Sequence, residues 1–144
     1  MSCMLRIGSP RLNIDRLLEV VSLPPARVFR RGERRFPKSK RLKRVLTFSG
    51  ANFEVSNAGF DDLSGQIRDA VRYLKKHRRA LRKLMRFPGA KGVTLDFGIR
   101  KRDDFVKSLV LPPNLLLAAG SLGLEIEITE YPLTSRRRSK SRRA

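Results

Sequence analysis

The stretch FDDLSGQIRDAVRYLKKHRRALRKLMRF, residues 60–87, is the longest periodic segment of the chain, and its reading decides the architecture. Laid on a wheel at about 100° per residue, Leu63, Ile67, Ala70, Val71, Leu74, Leu81, Leu84 and Met85 share one arc of roughly 140°, the apolar stripe of a helix packed on a sheet. Arg68, Arg72, Lys75, Lys76, Arg79, Arg82, Lys83 and Arg86 fall in the opposite arc of roughly 120°. The spacing predicts one continuous helix, with Asp61 or Asp62 placed to cap its N-terminus and meet the positive end of its dipole. PGAKG at 88–92 stops it.

Beyond that stop, GVTLDFGIR (92–100) alternates Val93, Leu95, Phe97 and Ile99 and reads as a strand. At the other end CMLRIGS (3–9) reads as an opening strand. NIDRLLEVVSL (13–23) offers Asn13 as N-cap to Ile14, Leu17, Leu18 and Val21 at helical spacing, ended by Pro24 and Pro25. ARVFRRG (26–32) is a short strand entering the loop ERRFPKSKRLKR (33–44). RVLTFSG (44–50) and NFEVSN (52–57) are further strand candidates, joined by a hairpin turn at Gly50-Ala51-Asn52 or forming a single bent strand. LPPNLLLAAGSLG (111–123) gives a short helix, and LEIEITEY (124–131) a closing strand.

The order βαββαβ, then a short helix and a strand, fits an α+β domain of ferredoxin-like (split βαβ) kind. Its expected form is an antiparallel-leaning sheet with two main helices, a short extra helix and a closing strand. No internal repeat or interdomain linker interrupts it. Residues 1–133 form one domain, and LTSRRRSKSRRA, with almost nothing apolar to bury, makes 134–144 a disordered basic tail.

At 144 residues the chain is long enough to bury a core without disulfides or a structural metal. Its 33 Lys plus Arg against 13 Asp plus Glu give a formal charge of +20. That imbalance costs self-repulsion and favours partners that supply negative charge. No apolar run approaches the roughly 18–20 residues of a spanning helix. The N-terminus has no apolar segment of signal-peptide length, so the mature protein is expected to start at Met1. Cys3 is the only cysteine, which excludes an intrachain disulfide and fits a reducing, cytoplasmic home.

Two stretches, LLEVVSLPPARVFRRGE (17–33), with Leu23, Pro25 and Gly32 in that relation, and LPPNLLLAAGSLGLEIEITEY (111–131), carry a likeness. From Met4 to Tyr131 the chain resembles the bacterial domain-of-unknown-function family four-two-seven-nine. The resemblance implies a small bacterial α+β domain and supplies no catalytic residue.

Enzyme motifs do not assemble. DFG at 96–98 lies inside a strand, without the catalytic or glycine-rich loops of a kinase. GAKG at 89–92 is too short for a phosphate-wrapping loop. His77, the only histidine, falls on the margin of the apolar stripe and reads as a structural residue. Cys3 reads as a small hydrophobe. The acidic pairs Asp61-Asp62 and Asp103-Asp104 read as caps or turn residues. No enzyme activity, metal or cofactor is expected.

Charge is what remains. Segment 72–87 has eight Lys or Arg in sixteen positions and no acid. Segment 27–44 has ten against one, Glu33, among them Arg30, Arg31, Arg34, Arg35, Lys38, Lys40 and Arg41. The tail 136–143 adds six. Glu125, Glu127 and Glu130 of the last strand could serve as intramolecular counter-charges, but three carboxylates are too few for eight cations. The pattern implies a non-enzymatic domain that binds polyanions, with nucleic acid, RNA or DNA, held through backbone phosphates and without strong sequence preference. The alternative is a protein-interaction module with an acidic protein partner. Phe29, Phe36 and Phe48 lie in or near the second block, but inward packing is the commoner fate of strand Phe. With 7% aromatics and no Trp, composition gives no support to a base-reading platform.

Overall fold

Alternating apolar residues along the strands force one face of the sheet inward. In the computed structural model, which describes residues 1–103 and 105–132, that face carries Cys3, Leu5, Ile7, Ala51, Phe53, Leu95 and Phe97, all buried. Strands β1 (Cys3–Ser9), β2 (Arg27–Phe29), β3 (Ser49–Ser56), β4 (Thr94–Arg100) and β5 (Glu125–Tyr131) form a single sheet in the order β2-β3-β1-β4-β5. Helices α1 (Ile14–Val20), α2 (Leu63–Lys76), α3 (Arg78–Arg86) and α4 (Pro113–Leu122) supply Ile14, Leu17, Leu74, Leu81, Leu84 and Leu115 to the same core. The expected tail at 134–144 lies outside the described residues.

The sheet is mixed rather than antiparallel throughout. β1 pairs antiparallel with β3 and β4, and β2 antiparallel with β3, but β5 runs parallel to β4. The reason is the connection: α4 carries the chain across between β4 and β5, and a crossover of that kind returns the strand in the same direction.

The capping residues are those the sequence offers. The Asn13 side chain accepts from the Arg16 N–H at 3.2 Å, and Asp62 rather than Asp61 accepts from the Gly65 N–H at 2.9 Å. Gln66, fully buried one turn further on, donates from its amide to the Gly98 and Gly59 carbonyls at 2.8 and 3.1 Å and ties α2 to β4.

Three expectations are corrected. Gly50-Ala51-Asn52 is no hairpin turn but lies in the first half of β3, paired in turn with Gly8, Ile7 and Arg6 of β1. The basic loop 33–44 is drawn together at its base, where the Gly32 N–H donates to the Leu46 carbonyl, the Leu46 N–H to the Glu33 carbonyl and the Arg35 N–H to the Arg44 carbonyl, 2.8 Å each, closing an arm over 30–46. The predicted strand RVLTFSG pairs there only over Arg44, Val45 and Leu46 and is otherwise irregular before Ser49, where β3 begins. The predicted long helix is two helices, α2 and α3, interrupted at His77.

Gly50 shows why the hairpin expectation fails. A Cβ at this position would collide with the Ile7 carbonyl of β1, so glycine here serves close backbone approach rather than a turn. Gly50→Ala is expected to lower stability by about 1–3 kcal/mol, the usual cost of overpacking. Gly59→Ala, whose added methyl meets nothing nearer than 3.9 Å, should be close to neutral. Urea unfolding of the two variants beside the parent measures the difference.

Candidate polyanion-binding surface

On a continuous wheel His77 and Arg78 would both fall within the apolar arc that Leu74 and Leu81 define. Neither suits a buried position, and the helix breaks where they meet. α2 ends at Lys76, α3 begins at Arg78, and the His77 ring packs against Tyr73 with centroids 4.6 Å apart. Leu74 and Leu81 on either side stay buried, while Arg78 turns out to solvent.

The break shapes the outer surface. Lys75, Lys76, Arg78, Arg79, Arg82, Lys83 and Arg86 line a shallow recess of about 540 Å³ along the outside of the two helices. Arg68 and Arg72 continue the basic stripe toward the start of α2, and all eight cations read from the wheel are exposed. Arg78 is the addition, hidden from the sequence because a straight helix places it inward.

None of the recess side chains forms an ion pair or hydrogen bond with another side chain among the described residues. The ion pairs of the described residues lie elsewhere. Asp15 and Glu33 hold Arg30 at 2.8 and 3.6 Å, and Asp61 lies between Arg100 and Arg102 at 3.7 and 3.6 Å. Glu127 and the buried Asp96 hold Arg6 at 2.6 and 3.4 Å, and Glu130 approaches Lys107 at 3.9 Å. Glu127 and Glu130, with Glu125, which accepts from the Thr94 hydroxyl at 3.4 Å, therefore face other partners than α2 and α3.

The second basic block does not act as one unit. Arg30 clips the arm to α1, and its guanidinium holds the Asp15 carboxyl below the usual carboxylate range. Arg34 donates to the Ser39 carbonyl at 3.0 Å and Arg31 to the Pro10 carbonyl at 3.4 Å. Arg35 stacks on Phe36 at 5.6 Å. Lys38, Lys40 and Arg41 are exposed near the tip.

Recess and arm are joined by a turn that the charge pattern does not single out. Gly89, just past α3, presses its backbone on Arg11, and Pro10 and Arg11 share a hollow with Pro88, Gly89 and Lys91. Because Arg31 also bonds to Pro10, the exposed Arg11 and Lys91 bridge the basic recess and the base of the arm.

Phe29 and Phe48 are absent from the buried core. Contrary to the inward packing expected of strand Phe, they meet each other, centroids 6.2 Å apart, beside a hollow on the sheet face opposite the helices.

Groups suited to covalent catalysis are quiet. Burial pushes the Cys3 thiol far up, with Asp96 and Asp69 adding to the shift, so it stays protonated. Burial also pushes the Tyr73 phenol up to about 12. Asp96 accepts from the Thr129 hydroxyl at 2.7 Å and neighbours the inward Phe97, an arrangement unlike a metal-holding triplet. Among the described residues no group of three or more His, Cys, Asp or Glu is placed to hold a metal ion, and no helix is long and apolar enough to cross a membrane.

A one-sided α+β sheet with a basic helical exterior is the class these features define. The chain belongs to the family described as Domain of unknown function (DUF4279), whose model matches residues 1–133. Neither a curated protein nor a solved structure matches it.

His77 supplies a pH signature. Burial, then the Lys76 charge, lowers its pKa below the ordinary 6.5. The unfolded chain therefore takes the proton first. The stability contribution of this site is fully present above about pH 6.5 and falls as pH drops through the lower folded value. Proton-detected titration of the imidazole should give a midpoint below 6.5, and His77→Gln should remove this component of the stability profile.

Proposed function

We propose that the domain is a non-enzymatic binder of nucleic acid, held through backbone phosphates by α2 and α3 and reinforced by the arm. The observation that carries this reading is the recess at the α2–α3 break, with seven cations and no carboxylate partner among the described residues. Like charges at i,i+3 and i,i+4 cost a few tenths of a kcal/mol per pair, and a polyphosphate offsets that cost while releasing counterions. Lys and Arg on exposed stems give affinity with little sequence preference. We read strands β1 to β4 as a split βαβ unit, because β1 lies between β3 and β4 and antiparallel to both, with β5 added at the edge. A reducing bacterial cytoplasm suits the lone buried cysteine.

A protein-interaction module with an acidic partner is the second reading. It is favoured by the segment after β4, where Phe105, Val106 and Val110 are widely exposed beside Lys101, Arg102 and Lys107. A one-to-one complex that survives nuclease treatment would support it.

The deciding variant is Arg72→Glu, Arg79→Glu and Arg82→Glu together, all at exposed positions. Fluorescence anisotropy should show affinity for duplex and single strands of every sequence falling alike. The slope of log affinity against log salt on duplex DNA should become shallower by about three, from three lost phosphate contacts. A chain truncated after Leu133 should retain binding near 0.15 M salt, where the screening length is about 8 Å. Unchanged binding by the triple variant removes the helices from the surface.

A further inference from the structure

We infer that the helix-free face of the sheet holds an unpaired base, which makes single-stranded polynucleotide the preferred substrate of the basic surface. The inference rests on the polyanion reading above and names its substrate class.

The four helices lie on the other face, so among the described residues no helix covers the back of the sheet, although Phe60 and Tyr131 close over Gly98 at one end of it. Gly8 and Gly50 are register partners there, with Phe29 opposite Gly50 on the next strand. Gly8, with the buried Gly50 beside it, leaves a patch of floor without a side chain. Phe48 closes one side of it, its ring edge only 3.2 Å from where a Cβ on Gly8 would stand. The result is a hollow of about 300 Å³ lined by Phe29, Phe48, Gly8, Arg6, Asn52 and Thr94. A flat floor with an aromatic wall suits a planar ring, and stacking on it is open to any base.

The polar groups suit a nucleotide. Asn52 is half-buried at the hollow, and its amide, one donor group and one acceptor, has no hydrogen-bond partner among the described residues. Arg6 lines the same wall with a buried Nε–H that lacks an acceptor. Arg27 lies over the Phe29 ring at 4.7 Å and makes no ion pair among the described residues, leaving its charge for a phosphate.

Charge also sets where the strand runs. Glu125 and Glu127 on β5 and Asp96 on β4 share the back face and repel phosphate from that half of the sheet. The hollow reaches from Thr94 on β4, whose hydroxyl meets Glu125, across to Phe29, which enters the basic arm, and Phe48, which leaves it, so a phosphate is favoured at the arm end. Arg31 and Arg11 at the arm base then connect it to the recess. A duplex keeps its bases stacked inside and cannot fill the hollow.

The experiment compares the full-length protein on a single-stranded oligonucleotide, RNA or DNA, with an abasic oligonucleotide of equal length and charge. The base-bearing strand should bind about tenfold more tightly, the scale of one aromatic–base stack. Phe29→Leu with Phe48→Leu should abolish that advantage while leaving abasic and duplex binding unchanged. Because the chain has no Trp, Phe48→Trp places one fluorophore in the hollow, and its emission should be quenched by the single strand and not by duplex. Equal affinity for base-bearing and abasic strands overturns the inference and leaves the phosphate reading standing. Binding of neither strand nor duplex overturns both. If the triple Glu variant loses overall affinity but keeps the base-bearing preference, the hollow is confirmed as a site separate from the recess.

Discussion

Everything in this domain follows from a sheet with only one apolar face. Leu5, Ile7, Phe53, Leu95 and Phe97 point one way, and all four helices must gather there to bury them. That single constraint creates two further surfaces. The helices turn their polar sides to solvent together, and among the described residues no helix covers the back of the sheet, which Phe60 and Tyr131 close at one end only. Had the strands been apolar on both sides, a second layer would have closed over Gly8 and Gly50.

The helical exterior is where the charge accumulates. Around ten cation pairs at three- and four-residue spacing along α2 and α3, each costing a few tenths of a kcal/mol, amount to a few kcal/mol before screening. A core of this size tolerates such a burden, yet the burden is not relieved where it could be. Every described ion pair lies away from the recess. Arg6, Arg30, Arg100 and Arg102, which hold strands and loops in place, make most of them. The cations on the outer helices are left without an ion pair among the described residues.

Much of this was legible in the residues. The period of 60–87 and the alternation of 92–100 are long enough to declare themselves, and both Asn13 and Asp62 cap where their side-chain chemistry suggests. The eight outer cations could be read because an apolar stripe fixes which way a helix faces. What stayed hidden depends on contacts between distant segments. Gly50 resembles a turn residue until β1 is brought against it, and the pairings of the arm have no periodicity of their own. The interruption at His77 is foreshadowed by two polar residues at core positions, but a wheel assumes the straight helix it is used to test. Phe29 and Phe48 were misjudged because alternation shows that a strand has two sides without saying that no helix covers one of them.

The two surfaces differ in what they could discriminate. Flexible Lys and Arg stems around an open recess would meet phosphates in many geometries, so under the proposed function the recess would confer affinity and salt dependence and little else. The hollow on the sheet is built differently. Its floor is backbone, its aromatic wall is wedged against Gly8, and Asn52 sits on a central stretch of β3 fixed by pairing on both sides. A rigid, half-buried amide can prefer one base edge over another, whereas an exposed lysine cannot. Division of labour follows from that contrast: the recess would gather a charged strand from solution, and the hollow would decide whether its bases are free to be held.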